Sequence, residues 1–190
     1  MIRIGFAITL LILTGCSVAP PRQSDNLCAT FTEKEEWYES AEHSYAKWGV
    51  PIHVQMAIMH QESRFVADAE PARPWLLGVI PWFRPSSAYG YAQAKDETWE
   101  HYLNQTGNSG ADRDDFADAA DFIGWYCSVS HRQLGIAMTD AKNLYLAYHE
   151  GHGGYKRKSH LSKSWLLRVA EKVAHRATLF QNQLNNCIRN

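Results

Sequence analysis

Apolar residues recur three and four positions apart through most of this chain, and no stretch alternates apolar with polar long enough to make a strand. The spacing predicts helices over about residues 32–48, 51–65, 93–106, 114–134, 140–150 and 162–187. Thr32 with Glu35 reads as a capping box, and Trp37, Ala41, Tyr45 and Trp48 form the apolar stripe of the first helix. Gly49 ends it, and Pro51 opens the second from a first-turn position. There Ile52, Met56 and Met59, with Ile58 alongside, make the apolar face. Phe116, Ala120, Ile123, Cys127 and Leu134 stripe a later helix, and Leu166, Val169, Val173, Ala177, Phe180, Leu184 and Cys187 the last. The fold class expected is all-α.

Residues 66–88 interrupt this pattern. Four of the seven prolines lie here (Pro71, Pro74, Pro81, Pro85), among Trp75, Leu76, Leu77, Val79, Ile80, Trp82 and Phe83. A loop this long in a small domain is usually functional or mobile. It could join the core, wall a ligand cleft or dip into lipid, and the cleft wall ranks first. Composition adds limits: 190 residues, 45% hydrophobic and 21% charged, exclude a disordered or low-complexity chain. A formal net charge of −1 argues against nucleic acid as the main partner.

The N-terminus carries one positive charge, Arg3, then an uncharged apolar run from Ile4 to Leu13. About ten residues are too few to span a bilayer and suit the h-region of a signal peptide. The run closes Leu13-Thr14-Gly15-Cys16, which resembles the lipobox of bacterial lipoproteins. That resemblance implies a signal peptide over 1–15, acylation at Cys16, a tether within 16–29, and a domain over 30–190. It implies a periplasmic protein held by its lipid, with Ser17 favouring the outer membrane. Three further cysteines follow. Cys127 falls on an apolar stripe and reads as a buried thiol, which leaves Cys28, just before the first helical segment, to pair with Cys187. Closing so long a loop stabilises by up to about 5 kcal/mol in the chain-entropy model.

Glu62 is the most informative position. It follows Ile58 by four residues and Met59 by three, so it emerges where the apolar face of its helix meets its border. Desolvation there favours the neutral carboxyl, as a general acid requires. Three motifs follow one another: His60-Gln61-Glu62-Ser63-Arg64-Phe65, Tyr89-Gly90-Tyr91-Ala92-Gln93 and Ala147-Tyr148-His149-Glu150-Gly151. Together they resemble the lytic transglycosylases with an SLT-type, goose-lysozyme-like helical domain, over roughly residues 35–180. The resemblance implies Glu62 as the single catalytic acid and base, followed by Ser63, with Tyr91 and Gln93 in the glycine motif lining a glycan cleft. It implies that the Tyr148 hydroxyl orients the catalytic carboxyl. His149 stands where the family usually has asparagine, Gly90-Tyr91-Ala92-Gln93 departs from its usual middle residues, and the stretch from Glu62 to Gln93 is longer than usual.

The activity implied is non-hydrolytic cleavage of the β-1,4 bond between N-acetylmuramic acid and N-acetylglucosamine in peptidoglycan, giving 1,6-anhydro products. It needs no metal and no cofactor, and the protein is expected to act as a monomer on glycan strands. A hydrolytic muramidase is the nearest alternative, with Asp96, Glu97 or Glu100 as a second carboxylate. A catalytically silent peptidoglycan-binding lipoprotein is the other. His149-Glu150-Gly151-His152 lacks the spacing of a zinc helix, and Ser63 has no base at local spacing for serine-hydrolase chemistry. The cluster Lys156, Arg157, Lys158, Lys163, Arg168, Lys172 and Arg176 reads as a solvated face balancing the acidic first helix.

Overall fold

A computed structural model describes residues 19–76, 80, 81 and 83–187. The predicted signal peptide, Cys16, Leu77, Val79 and Trp82 lie outside the described residues. Among those described, the chain forms seven α-helices: α1 (Leu27–Glu33), α2 (Glu35–Trp48), α3 (Ile52–Ser63), α4 (Asp96–Thr106), α5 (Phe116–Leu134), α6 (Ala141–Lys156) and α7 (Ser164–Cys187). The fold is all-α. Its only sheet among these residues is a small antiparallel hairpin, β1 (Trp75–Leu76) with β2 (Ile80–Pro81), inside the proline-rich loop.

Helix α3 is the axis of the molecule, packing on α2, α5, α6 and α7. Every residue from Val54 to His60 is buried. The sequence pattern suggested one apolar face with a polar border, but this helix is enclosed on all sides. A helix in that position buries Gln55 as well, and its Nε2 donates to the Val50 carbonyl at 2.7 Å. Met56, Ile58 and Met59 are wholly buried, each stabilising the fold by about 1.5–3 kcal/mol relative to exposure.

Around this axis an aromatic core forms. Trp37 stacks on Phe116 with ring centroids 4.0 Å apart, and Tyr91 meets both edge-on at 5.6 Å. Helices α2 and α5 are in close contact at Gly124, where a Cβ would lie 2.3 Å from Ser44 Oγ. Ser44 donates to the Ala120 carbonyl at 2.8 Å and takes the core position the sequence pattern gave to Tyr45, which is exposed.

The entry to the bundle also differs from expectation. Cys28 lies within α1, whose N-cap is Asn26, rather than before the first helix. Thr32 does not cap α2; its hydroxyl donates back to the Cys28 carbonyl at 2.9 Å within α1. Cys28 and Cys187 are joined by a disulfide that ties α1 to the end of α7. Cys127 is free, and complete burial pushes its thiol up to about 12, which makes it inert.

Helix α6 was expected to stop near its glycines, yet it continues to Lys156 across a break at Gly151, whose φ of 73° and ψ of 157° lie outside helical geometry. Only glycine adopts that conformation cheaply. No helix among the described residues is long and apolar enough to cross a membrane.

Candidate functional site

Four elements meet at a cavity of about 330 Å³: the end of α3, the loop before α4, the middle of α5 and the kinked part of α6. Glu62, Gln93, Phe122, Tyr126, Tyr148, His149 and Glu150 contribute to its lining. Of the residues singled out in the sequence, Glu62, Gln93, Tyr148 and His149 are therefore brought together.

Glu62 is in the last turn of α3, which closes through Arg64 in the left-handed conformation. Glu62 is half-buried at the cavity wall, and desolvation of its carboxyl pushes its pKa up to about 7; a hydrogen bond with the Tyr145 hydroxyl acts in the opposite sense. Tyr145 is itself buried, and its own ionisation is pushed up by burial and by Glu62. A carboxyl group poised near neutrality in a cleft can deliver a proton and later take one back.

Tyr148 lines the same cavity as Glu62, and burial together with the nearby Glu62 charge pushes its ionisation up. Its hydroxyl donates to the Ala92 carbonyl at 2.6 Å, while the hydroxyl bonded to Glu62 is that of Tyr145. Tyr148 packs edge-on against Tyr126, which stacks on His152 at 4.4 Å.

Gln93 has φ of 48°. Its Nε2 donates to the Ala69 carbonyl at 2.7 Å and to the Gly90 carbonyl at 3.1 Å, closing the loop that carries it. Gly90 permits this loop. Its φ is 79°, and a Cβ there would stand 2.0 Å from the Arg113 carbonyl oxygen.

Ser63 and Tyr91 are not part of the cavity lining. The Ser63 hydroxyl donates to the Met59 carbonyl and accepts from the Phe65 amide, finishing the C-terminus of α3. Tyr91 is 1% exposed, in the aromatic core. Glu97 and Glu100 are exposed on α4, and Asp96 is bonded to Arg113, so none of these carboxylates faces Glu62 across the cavity.

The second carboxylate of the cavity is Glu150, which the sequence reading did not select. Its Oε1 accepts from Lys163 at 2.7 Å and lies 3.2 Å from His149 Nδ1, and its Oε2 accepts from the Ser159 hydroxyl. The Lys163 and Ser159 hydrogen bonds hold its pKa down to about 2. Its place within the tyrosine motif was the available signal. For Tyr145 the signal was a second tyrosine three residues before Tyr148, on the same helical face. Phe122 and Tyr126 come from α5, and nothing local in the sequence marks them.

The proline-rich loop is fastened at its ends by the Glu70–Arg84 ion pair and by Arg84 Nε donating to the Pro71 carbonyl at 3.2 Å. It contributes Arg73, Phe83 and Arg84 to a second, neighbouring cavity that shares Ala88 with the first. Among the described residues no group of three or more His, Cys, Asp or Glu is arranged to hold a metal ion. His60, buried against Phe65 and Phe180, is held near 4 by desolvation and stands apart from the cavity.

In a comparison with protein families, the family model described as Transglycosylase SLT domain matches residues 4–187. No curated protein and no solved structure matches.

Proposed function

The chain belongs to the transglycosylase SLT-domain family, and from that premise we propose that it is a lytic transglycosylase in which Glu62 serves first as acid and then as base. Peptidoglycan processing is the general activity of such domains; the reaction course and the residues are our reading. Glu62 protonates the glycosidic oxygen between N-acetylmuramic acid and N-acetylglucosamine as the bond to C1 breaks. The substrate's own N-acetyl group stabilises the cationic centre, an exception to the two-carboxylate scheme. The Glu62 carboxylate then takes the proton of the C6 hydroxyl of the same muramic acid, whose oxygen bonds to C1 and closes the 1,6-anhydro ring. Holding that hydroxyl in place gives the attack a high effective molarity. The carboxyl ends as it began, protonated.

One observation carries this reading: the cavity contains one carboxyl group poised near neutrality, Glu62, raised to about 7 by desolvation. A two-carboxylate hydrolase also needs a free base for water. Glu150 is unsuited to that work, because both its oxygens are engaged and its affinity for a proton is low.

The deciding experiment digests purified sacculi with the protein and weighs the products. Anhydro products, one water lighter than hydrolysed muropeptides and absent with Glu62→Gln, are expected. Hydrated reducing ends would make the protein a muramidase. Sacculus binding without products would make it a silent binding module.

The same proposal includes the lipid. Acylated Cys16 would anchor the domain through a tether within residues 16–29 to the periplasmic face of the outer membrane, since one diacylated, N-acylated cysteine tethers without a spanning helix. Labelling of cells with radioactive palmitate, lost in Cys16→Ala, tests it. The domain is proposed to work as a monomer, which sedimentation would check.

A further inference from the structure

Trp165 is an exposed tryptophan beside the cavity. It sits in the first turn of α7 and is 49% exposed, whereas Trp37, Trp99 and Trp125 are buried and Trp48 is packed against the core. An indole left open to water forgoes a large apolar burial, and it is not holding the fold together. Its neighbour is the His149 ring, 5.3 Å away and nearly perpendicular at 76°. His149 lines the cavity that contains Glu62. The exposed indole is thus continuous with the cleft through one shared side chain.

The His149 ring is fixed from beneath. Its Nδ1 faces the Glu150 carboxylate, which accepts and does not donate, so Nδ1 carries the proton and Nε2 is the nitrogen that Glu150 leaves unengaged. Glu150 is fastened in turn to Lys163 and Ser159, on the segment that leads into Trp165. This chain of contacts couples the kink of α6 to the start of α7. It presents an aromatic face and a polar ring edge side by side.

We propose that Trp165 and His149 form a sugar-binding subsite at the edge of the Glu62 cavity, taking one N-acetylated pyranose of the glycan strand. The C–H face of the sugar lies on the indole, and the imidazole Nε2 bonds a hydroxyl or N-acetyl group of the same residue. Pyranose rings match this pair chemically: each has an apolar face of axial hydrogens and a rim of polar groups. The inference rests on the proposed action on peptidoglycan and adds to it a residue that the motifs do not contain. It adds an aromatic platform on α7 to the cleft wall that the sequence reading gave to the proline-rich loop.

The test measures binding of peptide-stripped glycan strands to the Glu62→Gln protein by titration calorimetry, so that no turnover intervenes. Adding Trp165→Ala should weaken binding by about 3- to 10-fold, the range expected for loss of one aromatic contact. Trp165→Phe should keep most of the affinity, which a merely lost bulk would not. Thermal melting of each variant should match the parent, because the side chain is exposed. Binding unchanged within twofold in Trp165→Ala, with the parent binding well, overturns the subsite and leaves the enzyme reading intact. Failure of the parent itself to bind glycan overturns both. A loss seen on phosphatidylglycerol vesicles but not on glycan overturns the subsite and assigns the indole to the membrane surface.

Discussion

The Tyr145 hydroxyl hydrogen-bonds the Glu62 carboxyl, while Tyr148, three residues on, donates its proton to the Ala92 carbonyl at 2.6 Å. Residues three apart share a helical face, so α6 holds the acid with one tyrosine and the Gly90–Gln93 loop with the next. The two halves of the cleft are thereby referenced to a single rigid element. This arrangement separates two roles that a motif comparison would give to one residue.

Tyr145→Phe and Tyr148→Phe should therefore differ. A hydroxyl donated to a carboxylate favours its charged form, so removing the Tyr145 hydroxyl raises the Glu62 pKa further. The alkaline limb of the kcat/KM profile should move to higher pH, with a lower maximum. Tyr148→Phe should leave that limb in place and cost about 1–2 kcal/mol of stability, because the Ala92 carbonyl loses its partner. A pH–rate series on both variants, with melting curves, checks this.

Glu62 should also weaken the fold at alkaline pH. Its pKa rises from 4.5 to about 7 on folding, so the folded state prefers the proton. The penalty is absent below about pH 4.5, grows between 4.5 and 7, and is complete above. At roughly 1.4 kcal/mol per unit, its upper bound is about 3.5 kcal/mol. Glu62→Gln should therefore be inactive yet more stable than the parent at pH 8, and equal to it at pH 4. Chemical denaturation at the two pH values reads the difference.

For Glu150 the sign is opposite. Its pKa is lowered on folding, so its stabilisation is present above about pH 4.5 and is lost as pH falls through about 2. Glu150→Gln should cost roughly 1–3 kcal/mol at pH 7, less than a fully buried pair because Lys163 remains 40% exposed. The gap between the two proteins should close on acidification. Since a neutral amide holds the His149 ring more weakly than the carboxylate does, KM for glycan should rise more than kcat falls.

Gly90→Ala should displace the glutamine loop. A positive φ alone costs an alanine about 1–2 kcal/mol, and the Cβ would overlap the Arg113 carbonyl. A loss of more than about 2 kcal/mol in stability is expected, together with loss of glycan binding. Melting temperature and calorimetric titration against sacculus glycan measure both.

Deleting residues 71–85 removes the loop that lines the neighbouring cavity. Helices α1 to α7 keep their contacts, so melting should change little while glycan affinity falls. Unchanged affinity in a folded deletion protein would remove the loop from the cleft.

Much of this molecule was legible in the spacing of apolar residues. The stripe of α7 lies where its periodicity put it from Leu166 to Leu184, with Ala170 joining the buried face, Val169 partly buried beside it and Cys187 exposed at its end. Periodicity is a local property, and a helix with one buried face records it faithfully. Helix α3 is the instructive contrast. Enclosed by four neighbours, it carries little amphipathic signal, and its central position could not be read from its own residues. The Thr32 cap and the Tyr45 core position failed for a related reason: each is decided by what packs opposite, here α1 and Gly124 of α5.

The site divides in the same way. By itself the sequence determined the helical class, the family motifs and the nomination of Glu62, Gln93, Tyr148 and His149, because residue types at fixed local spacing carry that information. Only the tertiary structure decided that Tyr145 holds the acid, that Glu150 is tied to Lys163, that Ser63 and Tyr91 face inward, and that Trp165 stands beside His149. Each of those facts depends on which segments distant in sequence come within a few ångströms, and hydrogen bonding and desolvation act only across such distances.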